Sequence, residues 1–355
     1  MAAARGSAVF LGGGAVGSYT GGMLSAAGHE VVLIDGWPEH VEAIRARGLR
    51  IVSPEGEHVV HPDAWHLGEA PRLRERTPEA AFLTVKLYDT AWASELLAQW
   101  LPSSVPVVTL QNALVEEVVA QAVGWGRVLG CIGGGMDVAL REPGVVQRSR
   151  RRHATPAPVF KVGETHGRIT PRAERLAALL ADVDRAVATP DLWSTRWEKL
   201  CANAMTTGLS GLGGYSLKEV YTREDTRRLA AQLAAEALAV GEALGFSVPK
   251  LFGLPPSLWR AAGRGDPAAI QSAMDALAAQ AASMVEGGMS GTLQDLRKGR
   301  PTEVDYLNGY VAREGERLGI PAPAHARLAA LIREAEKGGV SIGPEAIGRL
   351  LSGAG

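Results

Sequence analysis

Short apolar runs alternate with amphipathic stretches along the first half of the chain. The first run covers residues 7–11, and residues 16–27 read as a helix of small side chains. A second run covers residues 30–34. Residues 38–47 then read as a second helix, with Gly48 as its stop. Further runs fall at residues 80–85, 106–110 and 127–132, with helical stretches between them. Continuous apolar strands separated by helices are what a parallel sheet covered on both faces requires. The pattern therefore predicts an α/β fold whose N-terminal part is a doubly wound parallel sheet.

After about Ala188 strand signals give way to long helical periods. Helices are predicted over residues 193–206, 222–244, 267–286, 302–318 and 323–337, with Gly245, Gly287-Gly288 and Gly319 at their C-caps. The expected organisation is a sheet domain at 1–188 and an all-helical C-terminal domain at 189–355, the cleft between them being the natural active site.

Composition narrows the function classes. The 355 residues suffice for two cores, and 46% of them are hydrophobic. Thirty-seven basic against 38 acidic residues give a formal charge of -1, which offers no electrostatic case for a nucleic acid or an anionic membrane. Cys131 and Cys201 are too few for a disulfide framework or a thiolate metal site. The N-terminal residues lack the apolar core of a secretion signal, and no run of about 18 apolar residues suggests a membrane span. The cytoplasm is the expected compartment. The oligomeric state is not readable from the sequence, and a homodimer is the candidate assembly.

The sequence Gly12-Gly-Gly-Ala-Val-Gly17 contains G-x-G-x-x-G at Gly12, Gly14 and Gly17, between the first strand and the first helix. In that context the motif marks a Rossmann-type dinucleotide site: a tight turn, a close approach to pyrophosphate, and close helix–strand packing. Ala15 and Val16 open the helix whose N–H groups face the phosphates. Asp35 ends the second strand, where a carboxylate accepts hydrogen bonds from a ribose diol and repels a 2′-phosphate. No lysine or arginine lies between Asp35 and His40, so NAD is expected in preference to NADP. The other reading of Asp35 is a cap for the helix that Pro38 opens.

Three further islands carry polar residues. Lys86 and Gln111-Asn112 stand at strand ends, where ligands sit in such sheets. In Trp197-Glu-Lys-Leu-Cys-Ala-Asn203, Lys199 and Asn203 are four apart and share a helix face. The third island runs from Leu293 to Asn308 and places Glu303 in the first turn of a predicted helix. With the glycine loop, these motifs resemble the ketopantoate reductase (2-dehydropantoate 2-reductase) family, from Gly12 to about Lys337. The resemblance implies NAD(P)H-dependent reduction of a small 2-keto acid, with Lys199 as general acid. It gives Glu303 and Asn203 substrate-side roles and places Asn112 near the nicotinamide. The chemistry is self-consistent, because hydride addition builds negative charge on oxygen that an ammonium can stabilise and protonate.

Several positions depart from the family pattern. The family's Gln-Asn-Gly turn is Gln111-Asn112-Ala113 here, and Thr207 stands where another asparagine is usual. Gly291 replaces a serine expected twelve residues before Glu303, with Ser290 and Thr292 beside it as stand-ins. A substrate other than ketopantoate is therefore expected. A ketone or imine (opine-type) dehydrogenase and a non-catalytic NAD-binding sensor are the alternatives. The basic run at residues 148–153 reads as a solvated loop or hairpin, and His58, His61 and His66 do not form a credible metal set.

Overall fold

Both faces of β1 (Ser7–Leu11) are apolar, so the strand belongs inside a sheet covered on two sides. The computed structural model, which describes residues 6–282, 284 and 287–352, places it there. Phe10 joins Leu33 and Phe82 in one core cluster, while Leu11 joins Ile34 and Leu83 in another. The two-residue alternation of side chains along a strand produces this split. Two compact units result, Met1–Leu192 and Trp193–Gly355.

The first unit continues with α1 (Ala15–Ala26), β2 (Glu30–Asp35), α2 (Pro38–Arg47), β3 (Leu49–Ser53), β4 (Gly56–Val60) and β5 (Asp63–His66). Then come β6 (Ala80–Leu83), α3 (Thr90–Trp100), β7 (Val107–Thr109), α4 (Glu116–Val123) and β8 (Val128–Gly133). The unit closes with β9 (Val138–Glu142), β10 (Val145–Arg148), β11 (Phe160–Glu164), α5 (Pro171–Ala181) and β12 (Ala186–Thr189). The main sheet has eight strands in the order β12-β11-β8-β7-β6-β1-β2-β5. All its pairings are parallel except β8 with β11. Tyr19 and Leu24 of α1 pack on one face, and Leu97 of α3 with Val119 of α4 on the other. The strand order runs outward in both directions from β1 and β6. Their carboxyl ends form the switch point where doubly wound sheets bind ligands.

Four strands, β4-β3-β10-β9, make a second sheet that the apolar pattern did not predict. The reason is exposure: four of the five residues of β4 face solvent, so no continuous apolar run marks it. His58 lies within β4, and His66 ends β5 with its Nε2 hydrogen-bonded to Glu42 at 2.6 Å. The basic run is less solvated than expected. Arg148 is 1% exposed, donating to the Tyr19 hydroxyl at 2.9 Å and pairing with Asp184 at 2.5 Å. It ties α1 to the segment leading into β12.

The second unit contains α6 (Leu192–Ala204), which begins one residue before the unit boundary, α7 (Thr207–Gly213), α8 (Leu217–Thr222) and α9 (Glu224–Ala243). It continues with α10 (Pro256–Gly263), α11 (Pro267–Ala281), α12 (Gly291–Arg297), α13 (Asn308–Leu318), α14 (Pro323–Glu336) and α15 (Pro344–Leu351). Gly245 and Gly319, predicted as C-caps, follow α9 and α13 with φ of +86° and +70°. The helix predicted over 267–286 stops at Ala281, well before Gly287-Gly288, and its expected end falls partly outside the described residues.

The helix predicted over 302–318 is also broken. Val304–Tyr306 forms only a 3-10 turn, and α13 starts at Asn308. Glu303 is consequently the residue before that turn, not part of an α-helical first turn. Tertiary bonds override the helical pattern here. Thr302 donates through its N–H and its hydroxyl to Glu336, and Asp305 pairs with Arg333, so the segment is fastened to α14 at both ends.

Candidate active site

The three glycines after β1 lack side chains for different reasons. Gly12 has φ of +109°, and a Cβ there would lie 2.6 Å from the Val85 nitrogen. A Cβ on Gly17 would fall 2.0 Å from the Gly12 oxygen and 2.6 Å from Thr84 Oγ1. Gly14 is the opposite case: its φ is an ordinary -64°, and nothing lies within 4 Å of where its Cβ would stand. The fold needs two of these glycines, and the third keeps a space open.

That space lies at the start of α1, where Gly14 is the N-cap without a side-chain cap and no acidic residue occupies the first turn. The leading N–H groups, from Ala15, Val16 and Gly17, have no partner within the helix and sit at its positive end. A dinucleotide phosphate fits such a cradle in charge, donors and room.

Asp35 is built into the same loop. Its Oδ2 accepts from the Gly13 N–H at 2.5 Å and its Oδ1 from the Trp37 N–H at 2.7 Å. Neither bond reaches the second or third residue of α2, so Asp35 is not the cap of that helix. Each oxygen retains a second lone pair that a ribose hydroxyl could use.

Two residues unmarked by the sequence motif stand behind the loop. The Ser18 hydroxyl donates to the Gly13 carbonyl at 2.6 Å and lies 3.0 Å from His40 Nε2. His40 Nδ1 accepts from the Gly144 N–H at 3.0 Å. Burial holds His40 below the usual imidazole range against the opposing pull of Asp35 and of a hydrogen bond to the Gly13 backbone, which keeps the ring neutral. No sequence signal joins Ser18 to His40, because only the folded sheet brings them together.

At the ends of β6 and β7, the Gln111 side-chain amide donates to Val85 O and to Thr90 Oγ1, both at 2.9 Å. It staples the loop carrying Lys86 to the loop carrying Asn112. Lys86 precedes the 3-10 turn Leu87–Asp89, and both Lys86 and Asn112 are half-buried. Ala113 has φ of +58°, a left-handed conformation that favours glycine. Ala113 thus adopts a conformation suited to glycine, the residue of the family pattern at that position.

In the second unit, α6 is anchored by Trp197. Its indole N–H donates to Ala237 O at 3.1 Å, and the ring stacks on Phe246 with centroids 5.1 Å apart. Gly241 makes room, since a Cβ there would fall 1.9 Å from the indole nitrogen. Trp197, Leu200, Cys201 and Ala204 form the buried stripe, leaving Lys199 and Asn203 half-buried together beside it.

The last carbonyls of α6 are each taken by a side chain. Thr206 Oγ1 donates to Ala202 O at 2.7 Å, Thr207 Oγ1 to Asn203 O at 2.9 Å, and Asn308 Nδ2 to Ala204 O at 2.7 Å. Asn308 Nδ2 also lies 3.0 Å from Nδ1 of the fully buried His325, whose Nε2 meets Leu233 O at 2.8 Å. Burial pushes His325 down to about 4. It pushes neighbouring Glu236 up to about 7, although that carboxylate accepts from the N–H groups of Ala324 and His325.

The stand-ins beside Gly291 are held by the fold. The Ser290 hydroxyl donates to Thr207 O at 3.2 Å and accepts from Leu293 N at 3.1 Å as the cap of α12. Thr292 is buried, with its methyl 2.6 Å from where a Cβ on Gly211 would stand. Gly291 itself has nothing within 4 Å of its Cβ position. Thr207 and Ser290 are therefore brought together by a bond, as are Asn203 and Thr207, while Glu303 arrives on the separate segment leading to Asn308.

An open helix start at the switch point of a doubly wound sheet marks the class as a dinucleotide-binding α/β protein with an added helical unit. Comparison with known proteins agrees. Residues 8–161 match the sequence profile "Ketopantoate reductase PanE/ApbA", and residues 191–336 match the profile of its C-terminal part. The chain belongs to the ketopantoate reductase family. It is 28% identical to a 2-dehydropantoate 2-reductase of Mesorhizobium japonicum, over 91% of this chain and 95% of that one. For the homologue named likewise in Archaeoglobus fulgidus the identity is 27%, covering 92% and 97%. Among solved structures, a PanE/ApbA family ketopantoate reductase from Ralstonia eutropha superposes with a TM-score of 0.76 at 26% identity, covering 94% and 99%. A D-mandelate dehydrogenase with NADH and anilino(oxo)acetate has the same fold, with a TM-score of 0.76 at 20% identity over 94% and 99%.

Proposed function

We propose that the protein reduces the carbonyl of a small 2-keto acid with NAD(P)H, using Lys199 as the proton donor. The observation that carries this reading is the cradle left open at Gly14 in a chain that also presents Lys199 and Asn203 from one face of α6. The nicotinamide, when bound, supplies hydride to the carbonyl carbon. Lys199 meets the charge developing on oxygen and donates its proton there. Asn203 and Glu303 orient the substrate, and Lys86 and Asn112 line the cofactor side. Asp35 favours NADH, because a 2′-phosphate would meet its carboxylate. Asp35→Ala should narrow the gap between NADH and NADPH affinities, and tighter NADPH binding by the unmodified protein would end that assignment.

The substrate is proposed to differ from ketopantoate in carrying a larger, less polar group. The Thr207 hydroxyl is held by Asn203 O, and Gly291 leaves empty the room a serine would fill. The D-mandelate dehydrogenase of the same fold offers a precedent for an aromatic acid. The test is a screen of 2-keto acids, following loss of reduced nicotinamide absorbance, with Lys199→Ala alongside. Loss of the lysine should lower turnover about 10²–10⁴-fold with cofactor affinity unchanged. Lys199→Arg should recover little, since a guanidinium does not release its proton near neutrality. Near-normal turnover by the alanine variant would place the proton donor elsewhere.

A further inference from the structure

We propose that His40 is a positioning residue for the phosphate loop, acting through Ser18 to aim the Gly14 N–H at the dinucleotide. The Gly13 residue is fixed on both sides: its N–H is held by Asp35 and its carbonyl by the Ser18 hydroxyl, at 2.5 and 2.6 Å. Across a trans peptide the carbonyl and the next N–H point in opposite directions. Holding the Gly13 carbonyl against buried Ser18 therefore turns the Gly14 N–H to the other side of the peptide.

Ser18 alone would not fix this orientation. A serine in the first turn of a helix can instead donate to the carbonyl four residues back, here that of Gly14. His40 removes the choice. Its Nδ1 accepts from Gly144, so the neutral ring carries its proton on Nε2 and donates to Ser18 Oγ. With that lone pair taken, the hydroxyl proton goes to Gly13 O. The ring also meets the Gly13 backbone itself, so His40 and Ser18 converge on the same carbonyl. Trp37 stacks on the imidazole, with centroids 5.8 Å apart and planes 14° apart, and helps hold the ring. The turn before β10 thus has a purpose in cofactor binding: it supplies the N–H that sets the tautomer of His40.

The experiment measures equilibrium binding of NADH, ADP-ribose and adenosine to the unmodified protein, His40→Phe, His40→Gln, Ser18→Ala and the double variant His40→Phe/Ser18→Ala. Misaiming one N–H bond to a charged phosphate weakens binding about tenfold. His40→Phe and Ser18→Ala should each show that loss for NADH and ADP-ribose but not for adenosine, which has no phosphate. The double variant should lose about the same tenfold factor, because both changes break one relay. His40→Gln, which offers a donor and an acceptor, should recover part of the loss. Turnover at saturating NADH should stay near that of the unmodified protein. Unchanged NADH affinity in Ser18→Ala, additive losses in the double variant, or an equal loss for adenosine would each overturn the proposal. Failure of the unmodified protein to bind either NADH or NADPH would overturn the cofactor assignment itself.

Discussion

Gly14 and Gly17 lie three residues apart in one motif, yet they should fail in opposite ways when substituted. At Gly14 the backbone already has φ of -64° and the Cβ position is empty, so Gly14→Val introduces no clash. Restricting the unfolded chain should stabilise the variant by about 0.4–1 kcal/mol. Replacing a glycine N-cap with an apolar residue costs a comparable few tenths to 1 kcal/mol. The two nearly cancel, and the denaturation midpoint should hardly move. The same side chain fills the phosphate space and removes about two hydrogen bonds to a charged group, each worth roughly 1.5–3 kcal/mol. NADH affinity should therefore fall about 10²–10⁴-fold. In Gly17→Ala the new methyl would stand 2.0 Å from a carbonyl oxygen, so α1 or β1 must shift. Overpacking of this kind costs roughly 1–3 kcal/mol or more. Urea melts and NADH titrations of both variants separate the effects. Gly14→Val binding NADH normally, or losing as much stability as Gly17→Ala, would refute this account of the loop.

Further predictions rest on the second unit. Asn308→Ala leaves Ala204 O and His325 Nδ1 buried without their donor, and should lower stability by about 2–4 kcal/mol, read in a denaturant melt. Gly291→Ser places a hydroxyl in open space and should raise kcat/KM for ketopantoate relative to other keto acids; no gain would detach that position from the substrate. Glu236→Gln should uncover a pH dependence that the unmodified protein hides. His325, lowered from 6.5 to about 4, makes stability fall as pH drops through that window, by about 3 kcal/mol in all. Glu236, raised from 4.5 to about 7, makes stability fall as pH rises through its own window, so the two oppose each other over most of the range. The glutamine variant should lose stability steadily from pH 6.5 to 4, and an unchanged profile would contradict the pairing.

What the sequence makes legible follows from how burial is written in it. Strands β1, β2, β6, β7 and β8 are covered on both faces, so they appear as continuous apolar runs and their positions can be read directly. Pro38 and Gly48 likewise bracket α2 as punctuation. The small sheet is half-exposed and leaves no such trace. The break before α13 is invisible for a different reason: bonds to Glu336 and Arg333, about 30 residues away, overrule a local pattern that is helical. Among the candidate residues, the glycine turn of the first unit and the i, i+4 pairing of Lys199 with Asn203 in the second are local and can be read. The link from His40 to Ser18 spans 22 residues and two helices, and exists only after the sheet has formed.

The two units share a physical device that explains why histidine occurs at both buried junctions. His40 accepts at Nδ1 from Gly144 and donates at Nε2 to Ser18; His325 accepts at Nδ1 from Asn308 and donates at Nε2 to Leu233 O. A neutral imidazole offers one acceptor and one donor on opposite edges of a rigid ring, which a hydroxyl cannot do at that span and an amide does less rigidly. Burial lowers both rings below the usual imidazole range, so the acceptor edge survives at neutral pH. One ring backs the glycine loop before α1 and the other backs the end of the helix that carries Lys199. Protonating either would set two N–H groups against each other across an existing bond. The burial that fixes the donor and acceptor edges of each ring is thus the same burial that resists its protonation.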